Sequence, residues 1–347
     1  MFQPDYTNLV NAAYNRKSAR IPLYEHTIND SFIEKFTGKE FANLRTGSHS
    51  DMLEYFSHHN GFYKDMGYDT ISAEGWVGPI MPGSGALSGI RDGVIKERED
   101  FEKYPWDAVP EIFFNTYTSY FNALRESIPQ GMLLVGGPGN GIFECVQDVV
   151  GYENLCIIRA EDEDLYADLF ARVGDMLCDI WTKFLPLYGD LYCVCRVGDD
   201  LGFKSATLLP PDDIRKHIIP QYKRIAKILN NHKKPFLYHS CGCIFDVMPD
   251  LIEAGITAKH SNEDAISPYS KWIDDYGGQI GNFGGIDTDA LCDISTCDIV
   301  EYTTNVYNLC EKKGHGVAIG SGNSIPDYVS VDRYGTAIET IRILRGE

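Results

Sequence analysis

Residues 237–242 place a histidine and a cysteine two positions apart at the end of an apolar run. In a strand, residues i and i+2 point to the same face, so the imidazole of His239 and the sulfur of Cys241 can converge on one point. Gly242 follows them and allows the chain to turn away sharply. Nitrogen and sulfur donors brought together in this way suit zinc. The pair predicts a metal site, and the alternative is a buried histidine beside a buried thiol.

Other polar residues also close apolar runs. Asp199 and Asp200 follow residues 191–197 directly and are flanked by glycines. Adjacent carboxylates in that setting can bind a cation, accept hydrogen bonds from a substrate, or cap the next helix. The residues that end the runs in the same way are Glu25, His26, Glu74, Asp199, Asp200, His239, Cys241, His260, Glu263 and Asp287.

The composition excludes several classes of partner. With 50 acidic against 31 basic residues the net charge is −19, which disfavours binding to nucleic acid or to an anionic membrane surface. No apolar run approaches the roughly 20 residues that span a bilayer. The first residues lack a basic stretch followed by an apolar one, so we expect no signal peptide and a cytoplasmic protein. The ten cysteines form no Cys-x-x-Cys pair, and we expect most of them to be reduced and buried.

The order of elements predicts the architecture. Short β-like runs alternate with helical stretches along the chain, which predicts a single-domain α/β fold over residues 1–347, a (β/α)8 TIM barrel. Residues 76–106 lack periodicity and predict a long loop over the active face. In such a barrel the carboxyl ends of the strands meet at one face, where the polar residues named above would form one ring. The predicted strands are residues 21–25, 68–73, 132–136, 191–197, 236–239, 257–260, 280–283 and 317–319.

The motifs together resemble the uroporphyrinogen decarboxylase superfamily, over most of the chain. The resemblance is clearest in residues 237–242, 284–287 and 319–326. The His-x-Cys-Gly motif is similar to that of the zinc-dependent methyltransferases of this superfamily, which move methyl groups between small molecules and a corrinoid (cobalamin) carrier protein. An Arg-Gln-Ala-Gly-Arg run typical of the decarboxylase is absent after the first strand, where residues 22–30 read PLYEHTIND. The resemblance therefore implies zinc and a corrinoid carrier as partner.

The third zinc ligand departs from the family pattern. Asn323 stands where thiol-methylating relatives have a second cysteine, and an amide oxygen is a poor zinc ligand. We expect a carboxylate from elsewhere on the rim to complete the site. The candidates are Asp199, Asp200, Glu144 and Glu263, and we assign Glu144 to the metal.

This departure favours one direction of methyl transfer. Zinc with two thiolates and an imidazole has no net charge, whereas exchanging one thiolate for a neutral group leaves +1, a better Lewis acid. We therefore hypothesise a demethylating enzyme that acts on a methoxylated or methylamine-type donor. A carboxylate as third ligand would restore the neutral charge and weaken this reasoning. We expect Asp200, His26 or His260 to act as the general acid. Substrate-binding roles are expected for Glu25, Glu74, Asp199, Glu263 and Asn323.

Two alternatives stay open. The first is a decarboxylase of a smaller carboxylate, which needs a cationic pocket that the sequence does not reveal. The second is a metal-free barrel that binds a small ligand or a corrinoid protein without turnover. Metal content distinguishes the second alternative from the enzyme.

Overall fold

The chain is built around one parallel sheet. The computed structural model describes residues 2–293 and 298–347, so Cys297 lies outside the described residues. The seven strands pair in chain order and all pairs are parallel. They are β1 Thr70–Trp76, β2 Leu133–Gly139, β3 Tyr192–Gly198, β4 Phe236–His239, β5 Ala258–His260, β6 Gly281–Ile286 and β7 Val317–Ser321.

Helices follow the strands, as the sequence predicts. Several of them begin with side-chain caps, such as Ser48 with Asp51 in a capping box at the start of α3. The α-helices in the described residues are α1 Thr7–Ala13, α2 Asp30–Thr37, α3 His49–Asp65, α4 Arg98–Lys103, α5 Val109–Ser127, α6 Ile142–Val150, α7 Tyr152–Glu161, α8 Glu163–Tyr188, α9 Pro211–Asp213, α10 Ile219–Asn231, α11 Met248–Ala254, α12 Tyr269–Tyr276, α13 Thr288–Cys292, α14 Ile299–Lys313 and α15 Val331–Leu344. Between β1 and a 3-10 turn at Trp106–Ala108, the regular elements are α4 and a short 3-10 turn at Gly78–Ile80, which matches the predicted loop.

The sheet curls around a small apolar interior. Helix α1 contacts β3, β6 and β7, which are distant from one another in the strand order. Side chains of α1 and of the strands from β2 to β7 pack there in one cluster, for example Leu9, Val135, Leu237 and Phe283. A larger apolar layer lies between the sheet and the helices. The curled parallel sheet has the form of a TIM-barrel-like fold.

The predicted closed eight-stranded barrel is wrong in one respect. Residues 21–25 form no strand, and Leu23 makes a single parallel bridge with Ile319 of β7. The carbonyl groups that would pair with β1 have other partners, because Ser72 Oγ donates to the carbonyl of Glu25 and Arg196 Nη1 donates to that of His26 at 2.6 Å. Side chains, and not a backbone ladder, therefore fill the gap between β7 and β1.

No helix among the described residues is long and apolar enough to cross a membrane. The nine cysteines in this part of the chain are free, and several of them are buried.

Candidate metal centre

The carboxyl ends of β3, β4 and β5 bring the predicted metal residues together. Gly198, His239 and His260 are adjacent across these three strands. His239 and His260 are buried, with 5% and 0% of their surfaces exposed. Cys241 Sγ lies 3.5 Å from His239 Nε2, so the convergence predicted from their spacing is present.

A chain of hydrogen bonds fixes the tautomer of His239. His260 Nε2 lies 2.9 Å from the carbonyl oxygen of Ser321, which can only accept, so His260 carries its proton on Nε2. The Nδ1 of a neutral His260 is then an acceptor, and it lies 2.8 Å from His239 Nδ1, which must donate. The pKa values of both rings are lowered, chiefly by burial, so both are neutral at pH 7. His239 Nε2 is left with a free lone pair, as a metal ligand requires.

That lone pair faces a thiol and a carboxylate. Asp200 Oδ1 lies 3.7 Å from His239 Nε2 and accepts the backbone N–H of Cys241 at 2.8 Å. Gly242 has a φ of 78°, and a Cβ there would lie 2.3 Å from the carbonyl carbon of Gly202. The turn after Cys241 therefore requires glycine, as the sequence indicates.

Asn323 contacts the sulfur as a hydrogen-bond donor. Its Oδ1 accepts the N–H of Ser324 at 2.7 Å, which orients the amide and leaves Nδ2 to donate to Cys241 Sγ at 3.3 Å. The residue that stands in place of the family cysteine is thus oriented to stabilise negative charge on Cys241. Its amide oxygen points to the backbone of the next residue.

Two groups of potential ligands occur among the described residues, and their donor atoms lie within 4.8 Å of one another. One contains His26, His239 and His260, and the other contains Asp200, His239 and Cys241. In the first group His239 and His260 use their Nδ1 atoms on each other. The second group offers one nitrogen, one sulfur and one oxygen, a donor set that suits zinc.

Burial sets the protonation of the second group. The pKa of Cys241 is raised, first by burial and then by the charge of Asp200, so the thiol is protonated when no cation is near. Burial also raises the pKa of Asp200. A cation that binds here must displace the proton of Cys241, so its affinity should depend on pH and binding should release a proton.

His26 lies against this group. Its ring stacks on that of His239 with the centroids 3.8 Å apart. Burial and the charge of Arg196 lower its pKa, and its buried Nδ1 has no hydrogen-bond partner in the part of the chain that the structure describes.

Glu144 and Asp199 have other partners. Glu144, which we expected to bind the metal, is in neither ligand group of the described residues and accepts Nδ2 of Asn140 at 2.9 Å. Asp199 caps α6, because its carboxylate accepts the backbone N–H groups of Phe143 and Glu144 at 3.1 and 2.9 Å. Burial raises the pKa of Asp199 to about 6. Of the uses predicted for the adjacent aspartates, helix capping is therefore the role of Asp199, while Asp200 faces His239.

The expected substrate-binding carboxylates lie around the centre. Glu25 is buried and accepts the N–H of Ser321 at 3.1 Å, so it holds the residue whose carbonyl binds His260. Burial raises the pKa of Glu25 to about 7. Glu74 pairs with buried Arg196 at 2.7 Å, and Glu263 lines a surface cavity together with Asn323.

Arg196 was not among the predicted site residues. It lies inside the apolar strand β3, and its Nη1 also donates to Tyr24 Oη at 2.8 Å. A single arginine in a run of apolar residues was the available signal, since such a charge needs a buried partner.

Comparison with known proteins identifies the family. The family described as uroporphyrinogen decarboxylase (URO-D) matches residues 81–343. The chain belongs to the uroporphyrinogen decarboxylase family. A search of curated protein sequences gives no match.

Comparison with solved structures shows which proteins have a similar fold. A methyltransferase from Methanosarcina mazei is 13% identical, with a TM-score of 0.71 over 97% of this chain and 98% of that chain. At that identity the likeness shows a shared fold. Endo-glycoceramidase II from Rhodococcus sp. (10% identity, TM-score 0.48, 96% and 80% coverage) and PbGH5A, a glycoside hydrolase family 5 enzyme from Prevotella bryantii B14 (9%, 0.45, 99% and 99%), align too loosely to support an argument.

Proposed function

We propose that this member of the uroporphyrinogen decarboxylase family is a zinc-dependent methyltransferase that demethylates a small donor and passes the methyl group to a corrinoid carrier protein. One observation carries the proposal. The free lone pair of His239 Nε2, Cys241 Sγ and a carboxylate oxygen of Asp200 face one another at the carboxyl ends of the strands. We assign zinc to these three residues, and Asp200 replaces Glu144 as the third ligand.

The donor set changes the expected charge of the centre. A thiolate and a carboxylate together supply two negative charges, so zinc with these ligands has no net charge. The preference for demethylation then depends on the kind of ligand atom and not on net charge, because a carboxylate oxygen gives less electron density to zinc than a second thiolate does. Zinc bound here would act as a Lewis acid toward the leaving oxygen or nitrogen of the methyl donor.

The residues around the ligands have distinct roles. His260 and Ser321 hold the His239 ring in the tautomer that binds metal, and Asn323 stabilises the thiolate of Cys241 by donating to its sulfur. We assign to His26 a hydrogen bond to the leaving atom and the relay of a proton to it from solvent, because its buried Nδ1 has no other described partner and its lowered pKa keeps the ring neutral. His260 is not assigned this role, since both of its nitrogens are in use.

The bond changes of the reaction define its partner. In the proposed reaction the bond between the methyl carbon and the donor oxygen or nitrogen would break, and the electron pair for the new bond to carbon would come from the reduced corrinoid of the carrier protein. The leaving atom keeps the electron pair of the broken bond and takes a proton.

The decarboxylase alternative is not favoured, because Arg196 is already paired with Glu74 and Arg45 lies 3.6 Å from Asp30.

Metal content and methyl transfer test the function together. We expect close to one zinc per chain, methylation of a cobalt(I) carrier, and loss of both in Cys241→Ala. Cys243→Ala is the matched control, because Cys243 is equally close in sequence to the turn and belongs to neither ligand group of the described residues. Protein that binds no zinc, or that transfers methyl groups equally well after Cys241→Ala, would reject the proposal and favour the metal-free alternative.

A further inference from the structure

An apolar patch surrounds a surface groove between the long loop after β1 and the start of α7. The groove has a volume of about 650 Å³, and Ile90, Tyr152 and Ile157 are part of its wall. All three side chains are exposed, as are Leu87 and Val94 of the same loop. Single exposed apolar residues are common on proteins, whereas a group of them at one place marks an interaction surface. These five residues are called the apolar patch below.

Polar contacts hold the loop of the apolar patch in place. Asp148 of α6 is buried, and its Oδ1 accepts the N–H groups of Gly85 and Leu87 at 2.8 and 3.1 Å. Gly93 packs so closely on the end of α6 that a Cβ there would lie 2.0 Å from the carbonyl oxygen of Val150. The loop therefore presents its apolar side chains in a fixed arrangement, and little ordering is needed when a partner binds.

The apolar patch contains both a projection and a groove. Ile90 is 77% exposed, the largest fraction among the exposed large apolar side chains of the described residues. It stands at the edge of the groove, and Tyr152 and Ile157 form the α7 side of the wall. A surface with a projection beside a groove can bind a second copy of itself, because a twofold rotation places each projection against the groove of the other copy.

The charges of the groove are balanced in the same way. Its wall contains the cations Arg91 and Lys96 and the anions Asp92 and Glu153. None of these four forms an ion pair within the part of the chain that the structure describes, whereas the nearby Arg98 has two carboxylate partners. Unpaired charges of both signs are available to the corresponding charges of a second copy.

The charge of the whole chain limits where two copies can meet. At a net charge of −19, two copies repel each other over most of their surfaces. The groove is a neutral region in which that repulsion is offset. A foreign partner with one predominant sign of charge would meet like charges there, so the balanced wall favours a second copy of this chain.

We infer that the apolar patch is the interface of a homodimer, in which Ile90 of each copy enters the groove of the other. The interface adjoins the segment that follows β3, because Tyr152 Oη donates to the carbonyl of Leu208 at 2.7 Å. The inference is independent of the proposed function, since dimer formation requires neither zinc nor a methyl donor.

Sedimentation velocity of the purified full chain over a range of concentrations tests the inference. We expect the mass to change from the 38.9 kDa of one chain to twice that value as the concentration rises. Ile90→Glu should weaken the dimer about 100-fold or more, because each dimer would then bury two carboxylates without partners. Circular dichroism and urea unfolding check that this variant folds, as expected for a side chain that is exposed in the single chain.

Two further variants and a control locate the interface. Ile157→Glu changes the α7 side of the groove and should weaken the dimer about 10-fold or more. Arg91→Glu makes the groove acidic and should weaken the dimer about 10-fold at low salt, with a smaller effect at high salt. Ile343→Glu is the matched control, because Ile343 is an exposed isoleucine of α15 outside the groove wall, and we expect wild-type affinity.

Four results would overturn the inference. The first is a chain that stays monomeric at every concentration. The second is a dimer with the same affinity in the wild type, Ile90→Glu and Ile157→Glu. The third is equal weakening in Ile343→Glu, which would assign the effect to net charge and not to the apolar patch. The fourth is a monomeric chain that binds the carrier protein through this surface, with the binding lost in Ile90→Glu.

Discussion

His260 supports the metal centre without touching the metal in our proposal, so its substitution is an informative perturbation. His260→Ala removes the atom that accepts His239 Nδ1–H at 2.8 Å, in a ring that is only 5% exposed. An unpaired buried donor costs about 1–3 kcal/mol, and the ring then rotates or changes tautomer to recover a partner. Either response takes the Nε2 lone pair away from Cys241 and Asp200.

Loss of an outer partner of a ligating histidine typically weakens metal binding by about 10- to 100-fold. That range corresponds to about 1.4–2.8 kcal/mol, which agrees with the cost of the unpaired donor. We expect this loss for His260→Ala when zinc is titrated in competition with a chromophoric chelator. His260→Gln should recover part of the affinity, because its amide can both accept from His239 and donate to Ser321.

The matched control is His217→Ala. His217 is also a buried histidine, 8% exposed, but it packs on Tyr166 and Phe170 away from the metal centre. Denaturant unfolding of the metal-free variants checks that all of them fold. Wild-type zinc affinity in His260→Ala, or an equal loss in His217→Ala, would refute the hydrogen-bond chain as the determinant of the ligand geometry.

Three further predictions concern neighbouring groups. Zinc affinity should rise about tenfold per pH unit near neutrality with release of about one proton, because the raised pKa of Cys241 keeps its thiol protonated and His239 is already neutral. Calorimetry in buffers of different ionisation enthalpy measures the proton release, and a pH-independent affinity would contradict the prediction. Asn323→Cys should supply a second thiolate ligand, so the sulfur-to-metal charge-transfer absorption of the cobalt(II)-substituted protein should about double. An unchanged spectrum would argue against the position of Asn323 beside the metal. The pKa of buried Glu25 is raised to about 7, so ionising its carboxyl group opposes folding. Between about pH 4.5 and 7 the free energy of unfolding of the wild type should fall relative to that of Glu25→Gln by on the order of 3 kcal/mol. Urea unfolding measures this, and a difference between the two proteins that does not change with pH would contradict it.

The sequence was most informative where a local rule decides the geometry. The spacing of His239 and Cys241 on a strand end predicts their convergence, and Gly242 predicts the turn that follows. The alternation of strands with helical stretches was also predicted, and long helices such as α5, α8 and α15 lie in those stretches. Neither kind of prediction depends on a residue far along the chain.

Predictions failed where distant side chains compete for the same group. Residues 21–25 have the composition of a strand, but Ser72 and Arg196 bind the carbonyl groups of Glu25 and His26 that a ladder would use. The choice of third ligand depends on the same kind of competition. Asp199 is occupied by the start of α6, which leaves Asp200 facing His239.

Arg196 illustrates a site residue that only the fold reveals. Its carboxylate partner Glu74 is 122 positions away in the chain, and the ion pair forms because β1 and β3 lie on either side of β2. No short motif encodes such a pair. The same arginine also donates to the carbonyl of His26, which lies against the metal centre.

The ligands of zinc in the loaded protein are the most direct test of the proposed centre. X-ray absorption at the zinc edge resolves sulfur at about 2.3 Å from nitrogen and oxygen at about 2.0–2.2 Å. We predict one sulfur with the remaining ligands nitrogen or oxygen, and loss of the sulfur shell in Cys241→Ala but not in Cys243→Ala. Zinc with no sulfur ligand, or with two, would contradict a centre built from His239, Cys241 and Asp200.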